Sequence, residues 1–195
     1  SPIEKWVIAA PENIKVVPQK VNQIKISWKK MEHATGYEIL RSTKRNSGYQ
    51  VLTTRSSDQK TSYVDKTVVP GKTYYYKVAA FVQVGKESGK SDESTPLSGK
   101  TEVEQSEITS IKLNTKKAFV VKWKEVVGAS GYEIQRSTRK DRDFKVIGKM
   151  NKKTLTLTDA NLKKGTYYYR VRTVWTKDGK KYYSPYSEAK SGKIS

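Results

Sequence analysis

The sequence predicts an all-β protein made of two tandem seven-stranded antiparallel β-sandwiches, and three observations support this fold class. Apolar residues alternate with polar ones at a period of two, and no segment of helical length has apolar residues at spacings of three and four. The third observation is a long repeat, in which Gly36-Tyr37-Glu38-Ile39 returns as Gly131-Tyr132-Glu133-Ile134. An offset of 95 residues is a domain length, since solenoid repeats run roughly 20 to 50 residues.

The rest of each repeat keeps the same order of elements. Trp28 corresponds to Trp123, Tyr49-Gln50-Val51 to Phe144-Lys145-Val146, and Tyr74-Tyr75-Tyr76 to Tyr167-Tyr168-Tyr169. The offset falls from 95 residues at the tryptophans to 93 at the tyrosine runs, which requires only small deletions in loops. The chain is therefore expected to contain one module written twice.

The domain boundaries follow from the repeat. We predict an N-terminal extension at residues 1–10, a first domain at 11–101, a linker at 102–106 and a second domain at 107–195. Five linker residues reach less than roughly 20 Å and contain no glycine, so we expect limited hinge freedom between the domains.

The strand-like runs are separated by turn signals. Alternation is clearest at residues 24–29, 74–78 and 169–173, and about seven such runs occur in each half. Clusters of glycine, proline and polar residues lie at 44–48, 70–71, 161–165 and 177–179. Among these, Asp178-Gly179 lies between two strand-like runs and predicts a tight hairpin.

Parity along the strands predicts the core. In the first repeat the inward residues are Ile24, Ile26, Trp28, Tyr37, Ile39, Tyr74, Tyr76, Val78 and Ala80. In the second repeat they are Phe119, Val121, Trp123, Tyr132, Ile134, Tyr167, Tyr169, Val171 and Thr173. Both tryptophans are interpreted as core anchors rather than ligand platforms.

Composition removes several classes of protein. The chain contains no cysteine, which excludes disulfides, thiolate metal sites and thiol catalysis. No apolar run approaches the 18 residues needed to cross a bilayer, and residues 6–10 are too few for a signal sequence. We expect a soluble chain without membrane insertion, whose export signal lies outside these residues.

The chain is strongly basic. Its net charge is +20, divided as +8 on residues 1–101 and +12 on residues 102–195. Lysines that alternate with apolar residues are typical of strands with one wet face. A charge this far from zero also predicts salt-dependent attraction to polyanions.

The motifs resemble those of a known family. The order Ile-x-Ile-x-Trp, Gly-Tyr-Glu-Ile and Pro-Gly-Lys-Thr-Tyr-Tyr-Tyr-Lys-Val is similar to a fibronectin type III module, an immunoglobulin-like sandwich. More narrowly, it resembles the tandem lysine-rich modules of exported and wall-associated proteins of Gram-positive bacteria. The resemblance implies that Tyr74 forms a corner, in which its hydroxyl ties the chain just before the strand that carries the tyrosine. In the second repeat, either Tyr167 or Tyr168 takes that position.

The residues do not predict a catalytic or metal site. The sole histidine, His33, corresponds to Gly128 in the second repeat and is interpreted as a solvated loop residue. Asp65 and Asp159 recur at equivalent positions and are expected to tie a turn rather than to act as acid or base. No spacing matches a zinc, calcium or phosphate-binding motif, so no metal and no cofactor are expected.

The remaining candidate site is a surface patch. Parity places Tyr168, Arg170 and Arg172 on the outer face of one sheet, with Tyr75 and Lys77 at the corresponding place in the first repeat. An aromatic ring beside guanidinium groups can stack on sugars or bases, or bind phosphates. The alternative is cross-strand pairing within the sheet, with a glutamate opposite an arginine.

The sequence therefore predicts non-catalytic spacer or presentation modules of a larger exported surface or wall protein. Two alternatives remain: an adhesion module that recognises a host protein or a glycan, and accessory domains of a secreted enzyme. The expected partners are adjacent domains of the same polypeptide and, through weak electrostatic contact, anionic envelope polymers, glycans or a host protein. Nucleic acid is not an expected partner, and the expected location is extracellular, at the cell surface or wall.

Overall fold

The structure is a computed structural model that describes residues 8–195 of the chain. The chain divides into two compact units, of which the first ends at Thr101 and the second extends from Glu102 to Ser195. We call these the first and second modules. Of the predicted N-terminal extension at residues 1–10, residues 1–7 lie outside the described part of the chain.

The first module is all-β. Its strands are β1 (Lys15–Lys20), β2 (Gln23–Ser27), β3 (Gly36–Ser42), β4 (Gln50–Arg55), β5 (Ser62–Asp65), β6 (Thr73–Val84), β7 (Glu87–Lys90) and β8 (Leu97–Lys100). One antiparallel sheet has the order β1-β2-β5. The other has the order β4-β3-β6-β7, and β8 also pairs with β6.

The second module repeats this topology. Its strands are β9 (Ile108–Leu113), β10 (Phe119–Trp123), β11 (Gly131–Ser137), β12 (Lys145–Asn151), β13 (Thr156–Asp159), β14 (Gly165–Lys177), β15 (Lys180–Tyr183) and β16 (Lys190–Ile194). The sheets are β13-β10-β9 and β12-β11-β14-β15, and β16 also pairs with β14. The predicted fold class, two tandem antiparallel β-sandwiches, is confirmed.

Each module has eight strand segments where the sequence predicts seven strands. The difference arises because the last strand is interrupted: β7 and β8 both pair with β6, and β15 and β16 both pair with β14. In the first module the interruption spans residues 91–96, which contain two buried serines.

The two sheets of each module pack through the residues that parity predicts. Every predicted inward side chain is buried, and Thr173 is the sole polar one among them. Trp28 packs edge-on with Tyr37 at a ring-centroid distance of 5.2 Å, and the ring of Trp123 is tilted against that of Tyr132 at 5.9 Å. Aromatic rings in these arrangements pack favourably beyond the area that they bury. The interpretation of both tryptophans as core anchors is therefore confirmed.

The glycine of the repeated Gly-Tyr-Glu-Ile motif has a steric cause. A Cβ atom added to Gly36 would lie 2.4 Å from the carbonyl oxygen of Arg55 on the neighbouring strand. The same atom on Gly131 would lie 2.4 Å from the carbonyl oxygen of Met150. Because both of these contacts are to backbone oxygens, no side-chain rotation relieves the clash, and both modules require glycine here.

The tyrosine corner forms in both modules. In the first, the hydroxyl oxygen of Tyr74 accepts a hydrogen bond from the amide of Val69 at 3.3 Å. In the second, the hydroxyl of Tyr167 donates to the carbonyl of Lys163 at 3.0 Å. Tyr167, not Tyr168, is therefore the corner residue of the second module.

The tight hairpin at Asp178-Gly179 joins β14 to β15. Both residues have positive φ, 49° and 76°, as the two-residue turns that match strand twist require.

Before β9, the side chain of Gln105 donates to the carbonyl of Tyr186, and the hydroxyl of Ser106 donates to the carbonyl of Lys124. Within residues 8–195 the structure contains no helix that could span a lipid bilayer.

Candidate functional site

The patch residues of the second module lie on one strand. Tyr168, Arg170 and Arg172 alternate along β14, on the face opposite to the buried Tyr169 and Val171. Their cross-strand neighbours on β11 are, in the same order, Ser137, Gln135 and Glu133. The five-stranded sheet therefore presents these side chains on its outer face.

The two arginines are stacked between three aromatic rings. The guanidinium carbon of Arg172 lies 3.9 Å from the ring centre of Tyr183 and 4.6 Å from that of Tyr186. That of Arg170 lies 4.4 Å from Tyr186 and 4.1 Å from Phe144. We call this alternating set Tyr183, Arg172, Tyr186, Arg170 and Phe144 the stacked column. Each contact is a cation–π interaction, worth about 0.5 to 2 kcal/mol according to how far it is desolvated.

Polar contacts fix the stacked column to the sheet. Arg172 forms a 2.7 Å ion pair with Glu133, and the Nε of Arg170 donates to the side-chain oxygen of Gln135 at 2.8 Å. The hydroxyl of Tyr186 also donates to Glu133. Burial, together with this hydrogen bond to a carboxylate, raises the pKa of Tyr186 to about 12. The rings and guanidinium groups are thus held in place by contacts within the module.

Tyr168 lies outside the stacked column. Its ring is partly buried over the outer face, where Ser137 and Ser191 are its cross-strand neighbours. The sequence pattern groups Arg170 and Arg172 with Tyr168, whereas in the structure the two arginines contact the other aromatic rings of the stacked column.

The corresponding place in the first module contains ion pairs. Lys77 bonds to Glu93 at 2.9 Å and lies 4.5 Å from the ring centre of Tyr49. Lys90 bonds to Glu38 at 2.5 Å. Tyr75, like Tyr168, is partly buried and has serines as its cross-strand neighbours. Lys77 and Lys90 are therefore neutralised by carboxylates of their own module.

A pair of buried serines replaces the interrupted part of the last strand in each module. Ser187 donates its amide to the carbonyl of Val171 at 2.7 Å, and its hydroxyl accepts from the amide of the same residue at 3.1 Å. Ser184 makes the same two bonds with Thr173. Ser91 and Ser94 do so with Ala80 and Val78 in the first module. The recurring Ser-x-x-Ser spacing is a sequence signal of this device, and the strand patterns alone do not reveal it.

Each module also contains a buried carboxylate bound by an arginine and a tyrosine. In the first, Asp65 accepts from Arg41 at 2.7 Å, from the hydroxyl of Tyr76 at 2.9 Å and from the amide of Thr67 at 2.9 Å. Burial of Asp65 opposes ionisation, but the hydrogen bonds from Thr67, Arg41 and Tyr76 outweigh it and lower its pKa. Burial and the neighbouring carboxylate raise the pKa of Tyr76 well above its ordinary value.

The second module has the same arrangement. Asp159 accepts from Arg136 at 2.7 and 2.9 Å and from the hydroxyl of Tyr169 at 2.8 Å. Burial and the bond to Asp159 raise the pKa of Tyr169 well above its ordinary value. Asp65 and Asp159 thus close internal networks with side chains of the other sheet, and Asp65 also ties the turn at Thr67, as the sequence predicts.

His33 lies exposed in the loop before β3 with a φ of 62°. Gly128, its counterpart in the second module, has a φ of 82°. His33 and Gly128 therefore share a left-handed turn conformation. This agrees with the interpretation of His33 as a solvated loop residue. Within residues 8–195, no group of three or more histidine, aspartate or glutamate side chains is arranged to hold a metal ion.

Comparison with known proteins gives a family for the first module. The family model described as "Fibronectin type III domain" matches residues 9–98. The solved structure of a two-domain fibronectin type III segment from chicken tenascin has the same fold, with a TM-score of 0.50 and 15% sequence identity. It covers 94% of this chain, and this chain covers 98% of it.

A curated relative gives a context for the match. An amylopullulanase of Thermoanaerobacterium thermosulfurigenes is 32% identical over 85 residues. The match spans 44% of this chain and 4% of that enzyme's length.

Proposed function

We propose that the chain, whose first module matches the fibronectin type III family and whose two modules share that fold, is a non-catalytic accessory region of a larger exported protein. Its role there is to hold a neighbouring domain at a distance and present it. The chain itself binds no substrate for turnover under this proposal.

One observation carries the proposal: the two modules satisfy their buried charges in the same internal way. Arg41, Asp65 and Tyr76 bond to one another as Arg136, Asp159 and Tyr169 do. General acid–base catalysis needs a titratable group within reach of a substrate, and these carboxylates are bonded to partners of their own module. A duplicated structural network is what stiff spacer modules need.

The curated relative favours an enzyme as the parent protein. The matched segment occupies 4% of the length of an amylopullulanase, so in that protein the module is a small part of a much longer chain. We extend this arrangement to the present chain, in which a catalytic domain outside residues 1–195 would perform the reaction. An extracellular location agrees with such a parent protein.

A module exchange tests the proposal. In the parent protein, residues 1–195 are replaced by the chicken tenascin pair, which has the same fold at 15% identity. A spacer role predicts that the exchange preserves the activity of the parent on an insoluble substrate, whereas simple deletion of the modules reduces it. Equal loss after exchange and deletion would contradict the proposal, because a specific surface would then be required. A turnover activity in purified residues 1–195 would also contradict it.

A further inference from the structure

A small cleft lies at one end of the outer face of the five-stranded sheet of the second module. It has a volume of about 120 Å³ and is formed between β11, β12, β14 and β15. Its lining includes Glu133, Lys149, Lys181 and Tyr183. We call it the Tyr183 cleft.

The unneutralised charge of the cleft is positive. The acidic group in the lining, Glu133, is already bonded to Arg172 and Tyr186. Lys149 and Lys181 are exposed, and within residues 8–195 neither forms an ion pair or a side-chain hydrogen bond. Two ammonium groups at a small cleft, with the nearby carboxylate already occupied, favour an anionic ligand.

The cleft also contains an aromatic surface. Tyr183 is 43% exposed, and in the part of the chain that the structure describes it is the one aromatic residue among the exposed large hydrophobic side chains. The guanidinium of Arg172 covers one side of its ring at 3.9 Å. The stacked column therefore holds the ring in a fixed orientation, so that a ligand stacking on its free side orders little additional side chain.

The first module lacks these features at the same positions. The sheet register aligns Thr54 with Lys149, Ser88 with Lys181 and Lys90 with Tyr183. Lys90 itself is paired with Glu38. Because the two modules share their fold, the cations and the ring are a property of the second module and not a requirement of the sandwich.

We infer that the Tyr183 cleft binds one acidic sugar unit of an anionic polysaccharide. The apolar face of the sugar ring stacks on Tyr183, and its carboxylate or sulfate group lies between Lys149 and Lys181. Single-stranded nucleic acid is a poorer fit, because its binders present successive aromatic platforms along a groove and here one ring is exposed. This inference goes beyond the accessory role and does not depend on it.

Calorimetric titration of the two-module chain tests the inference. The probes are a hexamer of polygalacturonic acid, a heparin hexasaccharide, neutral maltohexaose and a short inorganic polyphosphate, in 0.15 M salt. We expect saturable binding of at least one acidic oligosaccharide, no binding of maltohexaose and weaker binding of polyphosphate. Binding of the polygalacturonate alone identifies a carboxylate ligand, and binding of heparin alone identifies a sulfate ester. Either result supports the inference.

Matched variants locate the site. Tyr183→Ala, and separately the pair Lys149→Gln and Lys181→Gln, are expected to weaken binding of the acidic oligosaccharide about tenfold. The control pair Lys112→Gln and Lys122→Gln removes the same charge from exposed positions on the other sheet and is expected to change affinity less than about twofold. Because the lysines are exposed, their variants keep the fold even where Tyr183→Ala disturbs the stacked column.

Several results would overturn the inference. One is the absence of binding by both acidic oligosaccharides, and another is equal binding of polyphosphate or maltohexaose. Equal losses in the cleft pair and the control pair would indicate a diffuse charge effect without a site. These outcomes are independent of the module exchange, since a spacer can function with an empty cleft.

Discussion

Asp65 and Asp159 illustrate what a buried carboxylate requires in a small β-sandwich. Asp65 has no exposed side-chain surface, and its two oxygens accept hydrogen bonds from Arg41, Thr67 and Tyr76. An ionised carboxylate is stable at such a position only when its oxygens are bonded in this way. Replacing one member of the network therefore leaves the others buried and unsatisfied.

The lowered pKa of Asp65 makes the stability of the first module dependent on pH. Because the folded pKa is below the ordinary value of 3.8, the stabilisation is fully present above that value and is lost as pH falls through the folded pKa. We expect Asp65→Asn to cost about 2 to 3 kcal/mol at pH 7 and to flatten the loss of stability in acid. Urea unfolding of residues 1–101 between pH 2 and 7 measures both effects. An unchanged acid profile in the variant would contradict the assignment.

Adjacent tyrosines on β14 provide a matched pair for the second network. Tyr169 donates to Asp159 inside the core, whereas Tyr168 lies on the outer face. We expect Tyr169→Phe to destabilise the second module by about 1.5 to 3 kcal/mol, since it removes a hydrogen bond to a buried charge. Tyr168→Phe is expected to change stability by less than about 0.5 kcal/mol. Chemical denaturation of both variants decides the point, and equal effects would show that the buried bond contributes little.

At the scale of elements, the interrupted last strand depends on its serines. Ser184 and Ser187 are 4% and 8% exposed, and their hydroxyls accept from amides of the long central strand β14. The hydroxyls then donate to the carbonyls of Pro185 and Glu188. The segment between β15 and β16 thus bonds the backbone of β14 on the edge opposite β11, where neither β15 nor β16 pairs with it.

We expect Ser187→Ala to cost about 1 to 3 kcal/mol, because the amide of Val171 loses its acceptor while it remains buried. Hydrogen exchange at that amide should accelerate more than exchange at neighbouring amides of β14. Ser94→Ala should have the same effect on Val78 in the first module. Ser191→Ala, an exposed position on β16, serves as the control. Unchanged exchange at Val171 would argue against the role of the hydroxyl.

The sequence predicted the strands and the core because the alternation of apolar and polar residues indicates which face of a strand is buried. It did not predict the stacked column, since Phe144, Arg170 and Tyr186 come from three separate segments. Parity assigns a side chain to a face of a sheet but does not say which neighbour it will contact on that face. The sequence pattern therefore grouped Tyr168 with the arginines, while the ring of Tyr183 comes from the end of β15 and that of Tyr186 from the segment after it.

The bond of Glu133 to Arg172 was accessible from sequence, because opposite charges on adjacent strands follow from register. The interruption of the last strand could not be predicted from the strand patterns. The strand patterns give no sign of its serines, and only the structure reveals that their hydroxyls take over the bonds of a strand.

At the scale of the whole molecule, each module has its own core. One buried cluster is drawn entirely from residues before Thr101, and the other entirely from residues after Glu102. Each cluster joins both sheets of its module, so the apolar contacts that oppose unfolding lie within about 100 residues of chain.

We therefore expect residues 1–101 and residues 102–195 to fold when each is produced alone. Each should unfold cooperatively in urea, and the amide region of its nuclear magnetic resonance spectrum should contain the dispersed resonances of a β-sandwich. When the modules are produced separately, the Tyr169→Phe change should lower the unfolding free energy of residues 102–195 as much as it does in the two-module chain. A segment that remains unfolded by itself would contradict the prediction.

The broken last strand has a further consequence for a protein that carries such modules in series. A long, flat outer strand exposes a row of unpaired amides and carbonyls on which another chain can build intermolecular sheet. Here the edge formed by the last strand of each module is divided into segments of four or five residues. Between the segments, the serine hydroxyls bond to the neighbouring central strand. At this edge, neighbouring modules thus find no continuous template for strand exchange, and the chain gains resistance to aggregation there without a single disulfide.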